Sequence, residues 1–311
     1  MVSDMESVRV THDDYQTRKK HMLLVAGIVV ILLVLGIAIW LMSSGNSALF
    51  PVRVNGKYGY INKSGEMAIQ PQFDRAEPFT EGYAAVKMDS HWGYVDKTGK
   101  LIIAPQYDLA DPFSDGVALV GMGSHLGYIE KNGKYVINPQ FEGAGQFGGG
   151  RAPVLVNGRW GYIDKNAKMV VNPQFDEAGN ISDGLAVVRV AGKFGYIDQS
   201  GKMVINPQFD SAGDFHDGRA VAKLGDKFGY IDKSGKVKIA PQFDSAGDFS
   251  DGLALVSMGK RYGYINESGT FAINPQFDEG GNFRSGIAPV WIGNREGYIN
   301  KHGKYIWNPV S

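Results

Sequence analysis

The chain contains no cysteine. This excludes a disulfide framework, a thiolate nucleophile and a zinc site with thiolate ligands. An excess of one charge sign is also lacking, because 32 basic residues stand against 32 acidic ones. Nucleic-acid-binding proteins usually carry a basic excess or stripe, so no nucleic-acid partner is predicted. The sequence shows no phosphate-binding glycine loop and no nucleophile–histidine–aspartate set, and we predict no catalytic residue, metal or cofactor.

Long apolar runs are lacking except for one, at residues 22–42. The run carries no charge, and a helix of this length spans about 30 Å, the thickness of a bilayer core. Arg18, Lys19 and Lys20 precede it, whereas no cation follows it before Arg53. The positive-inside rule therefore predicts a cytoplasmic tail at 1–21, a transmembrane helix at 22–42, a linker at 43–48 and a folded part outside the membrane. A cleaved signal peptide is the alternative, although the run is long for one.

The sequence does contain a repeat, whose period is 34 residues without insertion or deletion from about residue 49 to the end. A glycine marks each unit, at Gly59, Gly93, Gly127, Gly161, Gly195, Gly229, Gly263 and Gly297. A tyrosine follows each glycine, and a proline recurs at Pro71, Pro105, Pro139, Pro173, Pro207, Pro241, Pro275 and Pro309. Such a period is typical of solenoids, propellers and arrays.

Each unit contains three short extended segments, as at residues 185–190, 193–198 and 202–206. They are rich in Val, Ile, Tyr and Phe and too short for helices, and glycine-containing turns join them. The pattern predicts a three-stranded antiparallel meander in every unit. We expect the proline to end the third strand, because it has no N–H to donate.

The fold class is all-β, and the eight units predict a closed eight-bladed β-propeller. The first extended segment has a small residue at a fixed place, which indicates close approach of neighbouring units. The terminal units are nearly as regular as the central ones, whereas an open stack needs polar caps. An open β-solenoid is the alternative. The fourth unit has Ala167 where the others have a turn glycine, and we expect the preceding Asn166 to adopt the left-handed bend.

At these residues the chain resembles the bacterial WG-repeat family. The shared pattern is aromatic–Gly–Tyr–Ile–Asp, then Lys-x-Gly-Lys, Ile-x-Pro-Gln-Phe-Asp and Phe-x-Asp-Gly-x-Ala, and it covers residues 49–311. The tryptophan stands only at Trp92 and Trp160; Tyr58, Leu126, Phe194, Phe228, Tyr262 and Glu296 replace it. The resemblance implies an all-β repeat body, often attached to a membrane or cell envelope, and implies no catalytic activity.

A basic residue or histidine stands two positions before each repeat glycine. We call these positions the basic row: Lys57, His91, His125, Arg159, Lys193, Lys227, Arg261 and Arg295. They are candidate ligand-binding residues for an anionic polymer or an acidic partner surface. The alternative is a solvated row balanced by nearby polar and acidic residues such as Asp96 and Asp164. Clustered connector carboxylates, such as Asp210, Asp214 and Asp217, are more typical of turns than of a Ca²⁺ site.

Departures from the repeat are further places for specificity, and they include Trp291 and Glu296. Together these features predict a single-pass protein of a bacterial inner membrane with a periplasmic or extracellular repeat domain at 49–311. We interpret it as a binding scaffold that recognises a protein or an envelope polymer by multivalent surface contacts. The alternatives are a structural or assembly subunit of an envelope complex and an enzyme with an axial active site.

Overall fold

The computed structural model describes residues 48–310 of the chain. The predicted tail, the predicted transmembrane helix and most of the predicted linker lie outside the described residues. Within residues 48–310, no helix has the length and apolar character needed to cross a membrane.

The described residues form eight small antiparallel sheets, which we number as blades 1 to 8 in chain order. Every blade has three long strands. The first long strands are Phe50–Val54, Tyr83–Met88, Val117–Met122, Ala152–Val156, Leu185–Val190, Arg219–Leu224, Leu253–Met258 and Ile287–Ile292. The second long strands are Lys57–Ile61, His91–Asp96, His125–Glu130, Arg159–Ile163, Lys193–Asp198, Lys227–Asp232, Arg261–Asn266 and Arg295–Asn300. The third long strands are Met67–Phe73, Leu101–Tyr107, Tyr135–Phe141, Met169–Phe175, Met203–Phe209, Val237–Phe243, Phe271–Phe277 and Tyr305–Val310.

Blades 2 to 8 also have a short strand that pairs with the first long strand. The short strands are Arg75–Ala76, Leu109–Ala110, Gly143–Ala144, Glu177–Ala178, Ser211–Ala212, Ser245–Ser250 and Glu279–Gly280. The predicted three-stranded meander is therefore present in every blade, and blades 2 to 8 have a fourth, short strand in addition. Within residues 48–310, blade 1 has three strands.

The eight sheets stand in a ring, and the protein is an eight-bladed β-propeller. Apolar side chains pack between neighbouring blades; for example, Tyr60 and Ile69 of blade 1 pack with Ala84 and Val95 of blade 2. The ring is closed by the same kind of contact, since Phe50 and Ile61 of blade 1 pack with Ile287 and Tyr298 of blade 8. The predicted propeller is confirmed, and the alternative of an open solenoid is wrong.

The third long strand continues past its proline, contrary to the sequence expectation. In blade 2 this strand is Leu101–Tyr107, which includes Pro105. Tyr94 opposes Ile103, whereas Trp92 opposes Tyr107. A step of two residues along the second long strand therefore corresponds to a step of four residues along the third. This irregularity accommodates a residue that cannot donate to the ladder.

The turn of blade 4 is also different from the expectation. Ala167 itself has a φ of 59°, in the left-handed region, and the neighbouring Asn166 does not adopt this conformation. The Ala167 amide still donates to the Asp164 carbonyl at 3.0 Å, as the glycine amides of the other turns do in their blades. The turn geometry is therefore retained, and alanine bears the strain that glycine avoids.

Replacing Ala167 with glycine should raise the free energy of unfolding by about 1 kcal/mol, because an L-residue is strained in this region. Urea unfolding followed by circular dichroism measures the change. The matched control is Gly133→Ala at the same turn of blade 3, where an added Cβ would be 3.5 Å from its nearest neighbour, Ile103, and only the strain would be added. A neutral or destabilising Ala167→Gly would contradict this account.

Candidate functional site

The basic row is exposed at the beginning of every second long strand. Six of its members lie next to an aspartate that follows the third long strand of the same blade. Five of these contacts are ion pairs: Lys57–Asp74 (2.5 Å), Arg159–Asp176, Lys193–Asp210, Lys227–Asp244 and Arg261–Asp278 (2.5 Å). The sixth joins the His91 ring to the Asp108 carboxylate at 4.0 Å. The residues that were expected to balance the row serve the turns instead: Asp96, for example, accepts from the amides of Thr98 and Lys100.

Four of the six aspartates also accept a hydrogen bond from an amide of the hairpin turn between the first and second long strands: Asp74, Asp108, Asp244 and Asp278. Asp244 bonds Lys227 through one oxygen and accepts from the Gly259 amide at 2.6 Å through the other. The hydrogen bond from Lys227 is the largest cause that lowers the pKa of Asp244, followed by the one from Gly259. The basic row is thus paired along most of its length, and its surface is closer to neutral than the basic residues alone indicate.

A row of exposed apolar residues crosses four consecutive blades. We call it the apolar row: Ile102, Val136, Val170 and Val204, which are 37–45% exposed. Each is the second residue of a third long strand, and this strand is the last in the order of its sheet. The same place is taken by Lys238 in blade 6 and by exposed alanines, Ala68 and Ala272, in blades 1 and 7. In blade 8 the place is taken by Ile306, which is half-buried. The exposed apolar row therefore covers blades 2 to 5.

The carboxylates of each connector separate into different environments. Asp210 belongs to an ion pair with Lys193, and Asp217 accepts from the Gly252 amide of the next blade at 3.2 Å. Asp214 is withdrawn into the connector, where burial, followed by the charge of Asp248, raises its pKa to about 6. Across residues 48–310, no group of three or more histidine or acidic side chains is placed to hold a metal ion.

One serine, one histidine and one aspartate come close together along the connectors. His216 lies 3.4 Å from the Ser182 hydroxyl and 3.8 Å from the Asp248 carboxylate. The Ser182 hydroxyl donates to the Phe215 carbonyl at 2.6 Å and not to His216. The 3.8 Å between the His216 ring and the Asp248 carboxylate is too long for a hydrogen bond. This arrangement ties neighbouring connectors together and does not have the geometry of an activated nucleophile.

The repeat tyrosines bury their rings and donate their hydroxyls across the blade interfaces. Seven of the eight bond a carbonyl of the connector that leads into the next blade, at 2.7–2.9 Å, as Tyr60 does to Glu77 and Tyr264 to Gly281. The rings are at most 3% exposed. The repeat tyrosines are therefore structural parts of the blade interfaces, and their rings are not open to carbohydrate stacking.

Successive connectors contact one another and form a ring of their own. We call it the connector ring: residues 77–80, 111–114, 145–148, 179–182, 213–216, 247–250 and 281–284. Serine hydroxyls of three connectors donate to the next one, from Ser114 to Phe147, from Ser182 to Phe215 and from Ser250 to Phe283, at 2.6–2.7 Å. Short side chains make these contacts, so the connectors lie close together.

The regular contacts of the repeat tyrosines and the connectors are interrupted at the interface between blades 8 and 1, which we call the seam. At this interface Tyr298 donates to the Pro51 carbonyl of a first long strand, at 2.5 Å, and not to a connector. Arg284 replaces the connecting serine, and its guanidinium reaches within 3.5 Å of the Phe79 carbonyl in the connector of blade 2. Phe50 stands where the other seven blades have alanine, and its ring lies 5.9 Å from that of Tyr298.

A cavity of about 560 Å³ opens at the seam. Its walls include Tyr58, Phe283, Trp291 and Tyr298 together with Glu77, Arg284 and Glu296, and they extend to His216 and Asp248 in the connectors of blades 6 and 7. This size lies within the usual range of ligand sites. Trp291 and Glu296 are visible in the sequence as departures from the repeat, whereas Glu77 and Arg284 were missed because their role depends on closure of the ring.

The acidic groups of the seam cavity are held partly out of water. Burial, followed by the charge of Asp111, raises the pKa of Glu77, while the Arg284 charge lowers it. Burial raises the pKa of Glu296 to about 7, against the opposing effect of a backbone hydrogen bond from Arg53 and of the Arg53 charge. Aromatic walls combined with these groups suit the binding of an amphipathic ligand.

Glu296→Gln should make the free energy of unfolding less sensitive to pH. Glu296 binds its proton more tightly when folded, so its contribution to stability falls as pH rises from about 4.5 to 7. The variant should gain about 1–3 kcal/mol relative to the wild type between pH 5 and pH 8. Thermal unfolding at both pH values measures this, with Glu279→Gln, an exposed glutamate of the same blade, as the control. An equal difference at both pH values would contradict the burial of a titrating carboxyl.

A family model described as WG containing repeat matches seven segments of the chain, at residues 58–90, 92–124, 127–160, 160–194, 194–228, 228–262 and 262–295. The chain belongs to this family. The matched WG repeats begin at the aromatic position of blade 1 and end at Arg295, next to Glu296, which replaces the aromatic residue in blade 8. The family therefore accounts for the regular blades, whereas the seam lies where the matched pattern ends.

A comparison with curated proteins gave no match. Solved structures share the fold of the WG-repeat propeller. The dihydro-heme d1 dehydrogenase NirN is 14% identical, over 85% of this chain and 72% of its own, with a TM-score of 0.56. A eukaryotic initiation factor is 11% identical, over 84% and 85%, with a TM-score of 0.54. BamB from Moraxella catarrhalis is 12% identical, over 82% and 92%, with a TM-score of 0.49. The likeness to NirN and to the initiation factor shows a common fold and nothing about activity.

Proposed function

We propose that the protein is a membrane-tethered, extracytoplasmic scaffold whose WG-repeat propeller binds a partner protein through several blades at once. The observation that carries this proposal is the apolar row. Exposed apolar side chains that recur at one position on neighbouring blades offer a protein partner several apolar contacts. Because the row repeats on four consecutive blades, a partner can contact the same kind of residue several times.

The basic row has a supporting role in this proposal. Its ion pairs with aspartates leave little uncompensated charge for an anionic envelope polymer, which was the other ligand class considered. Exposed charges at the rim of an interface mainly change the association rate and its salt dependence. We therefore expect Lys193→Glu with Lys227→Glu to alter the salt dependence of partner binding and to leave the complex able to form.

Site-specific photo-crosslinking in cells that express the full chain tests the use of the apolar row. A crosslinker at position 170 should give a discrete protein adduct, and one at Ala272, the equivalent exposed position in blade 7, should not. In a separate experiment, Val136→Glu with Val204→Glu should reduce the adduct at position 170 at least tenfold, while Ala68→Glu should leave it unchanged. Equal adducts at positions 170 and 272 would contradict the proposal, and an adduct with an envelope polymer would support the alternative ligand.

The tether rests on the apolar run at 22–42 and its basic flank. Because the chain lacks cysteine, a single introduced thiol reports its own location. Glu267→Cys, at an exposed position of blade 7, should react with a membrane-impermeant maleimide in cells whose outer barrier is open but whose inner membrane is intact. Ser3→Cys should react only after lysis. The reverse pattern, or cleavage of the chain after the apolar run, would contradict the proposed anchor.

A further inference from the structure

The exposed surface beside the apolar row carries four lysines. Each stands two residues before a member of the apolar row, at the turn that joins the second and third long strands of its blade. Two residues span at most about 7 Å along an extended chain, so the ammonium group and the apolar side chain can contact one partner together. We call these exposed residues the lysine row: Lys100, Lys134, Lys168 and Lys202.

The lysine row and the apolar row occur in the same blades. In blades 1 and 7, where alanine replaces the exposed aliphatic residue, Glu66 and Thr270 replace the lysine. Blades 6 and 8 retain a lysine, at Lys236 and Lys304, but lack the exposed aliphatic residue beside it. The two features are therefore combined in blades 2 to 5, which follow one another around the ring.

Ion pairs do not compensate the charge of the lysine row. In the part of the chain that the structure describes, none of its four ammonium groups forms an ion pair with a carboxylate, whereas five members of the basic row do. The acidic residue of the same turn is engaged with the turn itself, as Asp96 shows. A hydrogen bond from Thr98 is the largest cause that lowers the pKa of Asp96, and the Lys100 charge is the smallest. The ammonium groups of the lysine row are thus available to a partner.

The combination of aliphatic and cationic side chains indicates the chemistry of that partner. Protein interfaces commonly combine apolar contacts with a polar rim, and charges across an interface are complementary in sign. Carboxylates beside apolar residues would match both rows. A flat anionic lipid surface is a poorer match, because it would also meet the corresponding turns of blades 1 and 7, where the acidic Glu66 and Glu267 are exposed.

We propose that the lysine row and the apolar row together bind an acidic surface of a partner protein, whose carboxylates pair with the lysines and whose apolar residues cover the aliphatic side chains. This inference rests on the proposed function, because it names the chemistry of the partner at the apolar row. The lysines select an acidic partner and speed its association, while the aliphatic side chains add apolar burial. The acidic partner that the sequence suggested for the basic row is thereby assigned to a different set of residues.

Charge reversal combined with the photo-crosslinker at position 170 tests the inference in cells that express the full chain. Lys134→Glu with Lys168→Glu should reduce the protein adduct at least about tenfold, because carboxylates of the partner would then face like charges. Lys236→Glu with Lys304→Glu makes the same change at the same turn position of blades that lack the exposed aliphatic residue, and it should leave the adduct unchanged. Lys134→Arg with Lys168→Arg keeps the charges and should retain the adduct. Circular dichroism of the purified variants verifies that each is folded.

Mass spectrometry of the adduct identifies the partner and the segment of it that lies at position 170. Replacing the acidic residues beside that segment with lysine should restore the adduct of the Lys134→Glu, Lys168→Glu variant, since the pairs are then re-formed with their signs exchanged. A segment without acidic residues, an adduct that survives the reversal, or an equal loss in the control pair would overturn this inference and leave the proposed function standing. Absence of a protein adduct at position 170 in the wild type, or an adduct with lipid, would contradict both.

Discussion

Phe215→Ala is expected to lower the free energy of unfolding by about 3–5 kcal/mol, the usual cost of removing a fully buried aromatic side chain. Phe215 is 0% exposed, and its ring lies 4.7 Å from that of Tyr196. It belongs to the connector of blade 6 and packs with Leu185 and Tyr196 of blade 5 and with Ala220 of blade 6. The substitution therefore leaves a cavity between the two blades.

The sequence itself supplies the control for this prediction. Ile181 occupies the same position in the connector of blade 5 and is 6% exposed. Phe215→Ile should therefore cost only about 1–2 kcal/mol, because a branched aliphatic side chain fills much of the same space. Urea unfolding followed by circular dichroism distinguishes the two variants. Equal losses for alanine and isoleucine would mean that the connector side chain does not hold the interface.

The blade interfaces explain why one site on this molecule differs from the rest. In a repeat protein, stability is approximately a sum of the units and of the contacts between neighbours. The connector and the tyrosine recur at successive interfaces as structural parts, so their repetition argues against a role in recognition. The seam combines the same tyrosine and the same first strand with Arg284, Phe50 and Glu296, and this combination occurs once. Residues that differ between blades, such as those of the lysine row and the apolar row, are better candidates for recognition than the parts that recur at successive interfaces.

Much of the fold could be predicted because the 34-residue period reports the same local structure eight times. The segments predicted at 185–190 and 193–198 coincide with the strands Leu185–Val190 and Lys193–Asp198. The third strand was predicted to end too early, because the pairing beyond Pro207 depends on a register shift between strands. The short strand Ser211–Ala212 was missed, because two residues carry no periodic signal and acquire their structure by pairing with Ala222 and Lys223.

The candidate site was less accessible to sequence reasoning. The basic row was predicted as a recurring feature, but its aspartate partners lie 17 residues away, at a distance set by the path of the third strand. Trp291 and Glu296 stood out as departures from the repeat, yet nothing local connects them with Pro51 or Phe79. These contacts join residues more than 200 positions apart, as between Tyr298 and Pro51, and they exist only because the ring closes.

The glycine that precedes each repeat tyrosine gives the second of the two large effects, and Gly195 is a suitable example. A Cβ at this position would lie 2.5 Å from the Ile205 carbonyl oxygen and 2.7 Å from the Pro207 nitrogen. Both are backbone atoms of the irregular third strand, so neither can move without disturbing the pairing within blade 5. Gly195→Ala should therefore destabilise the protein by about 3 kcal/mol or more.

A glycine without this constraint provides the matched control for Gly195→Ala. Gly247 does not have a positive φ, and a Cβ there would be 3.5 Å from its nearest neighbour, the Asn282 side chain. Gly247→Ala should thus change the free energy of unfolding by less than about 0.5 kcal/mol. Thermal unfolding of the two variants measures the contrast. If both alanines were tolerated equally, the close approach of the third strand would not be the cause of the recurrent Gly–Tyr pattern, because the blade would then have room for a side chain at the glycine.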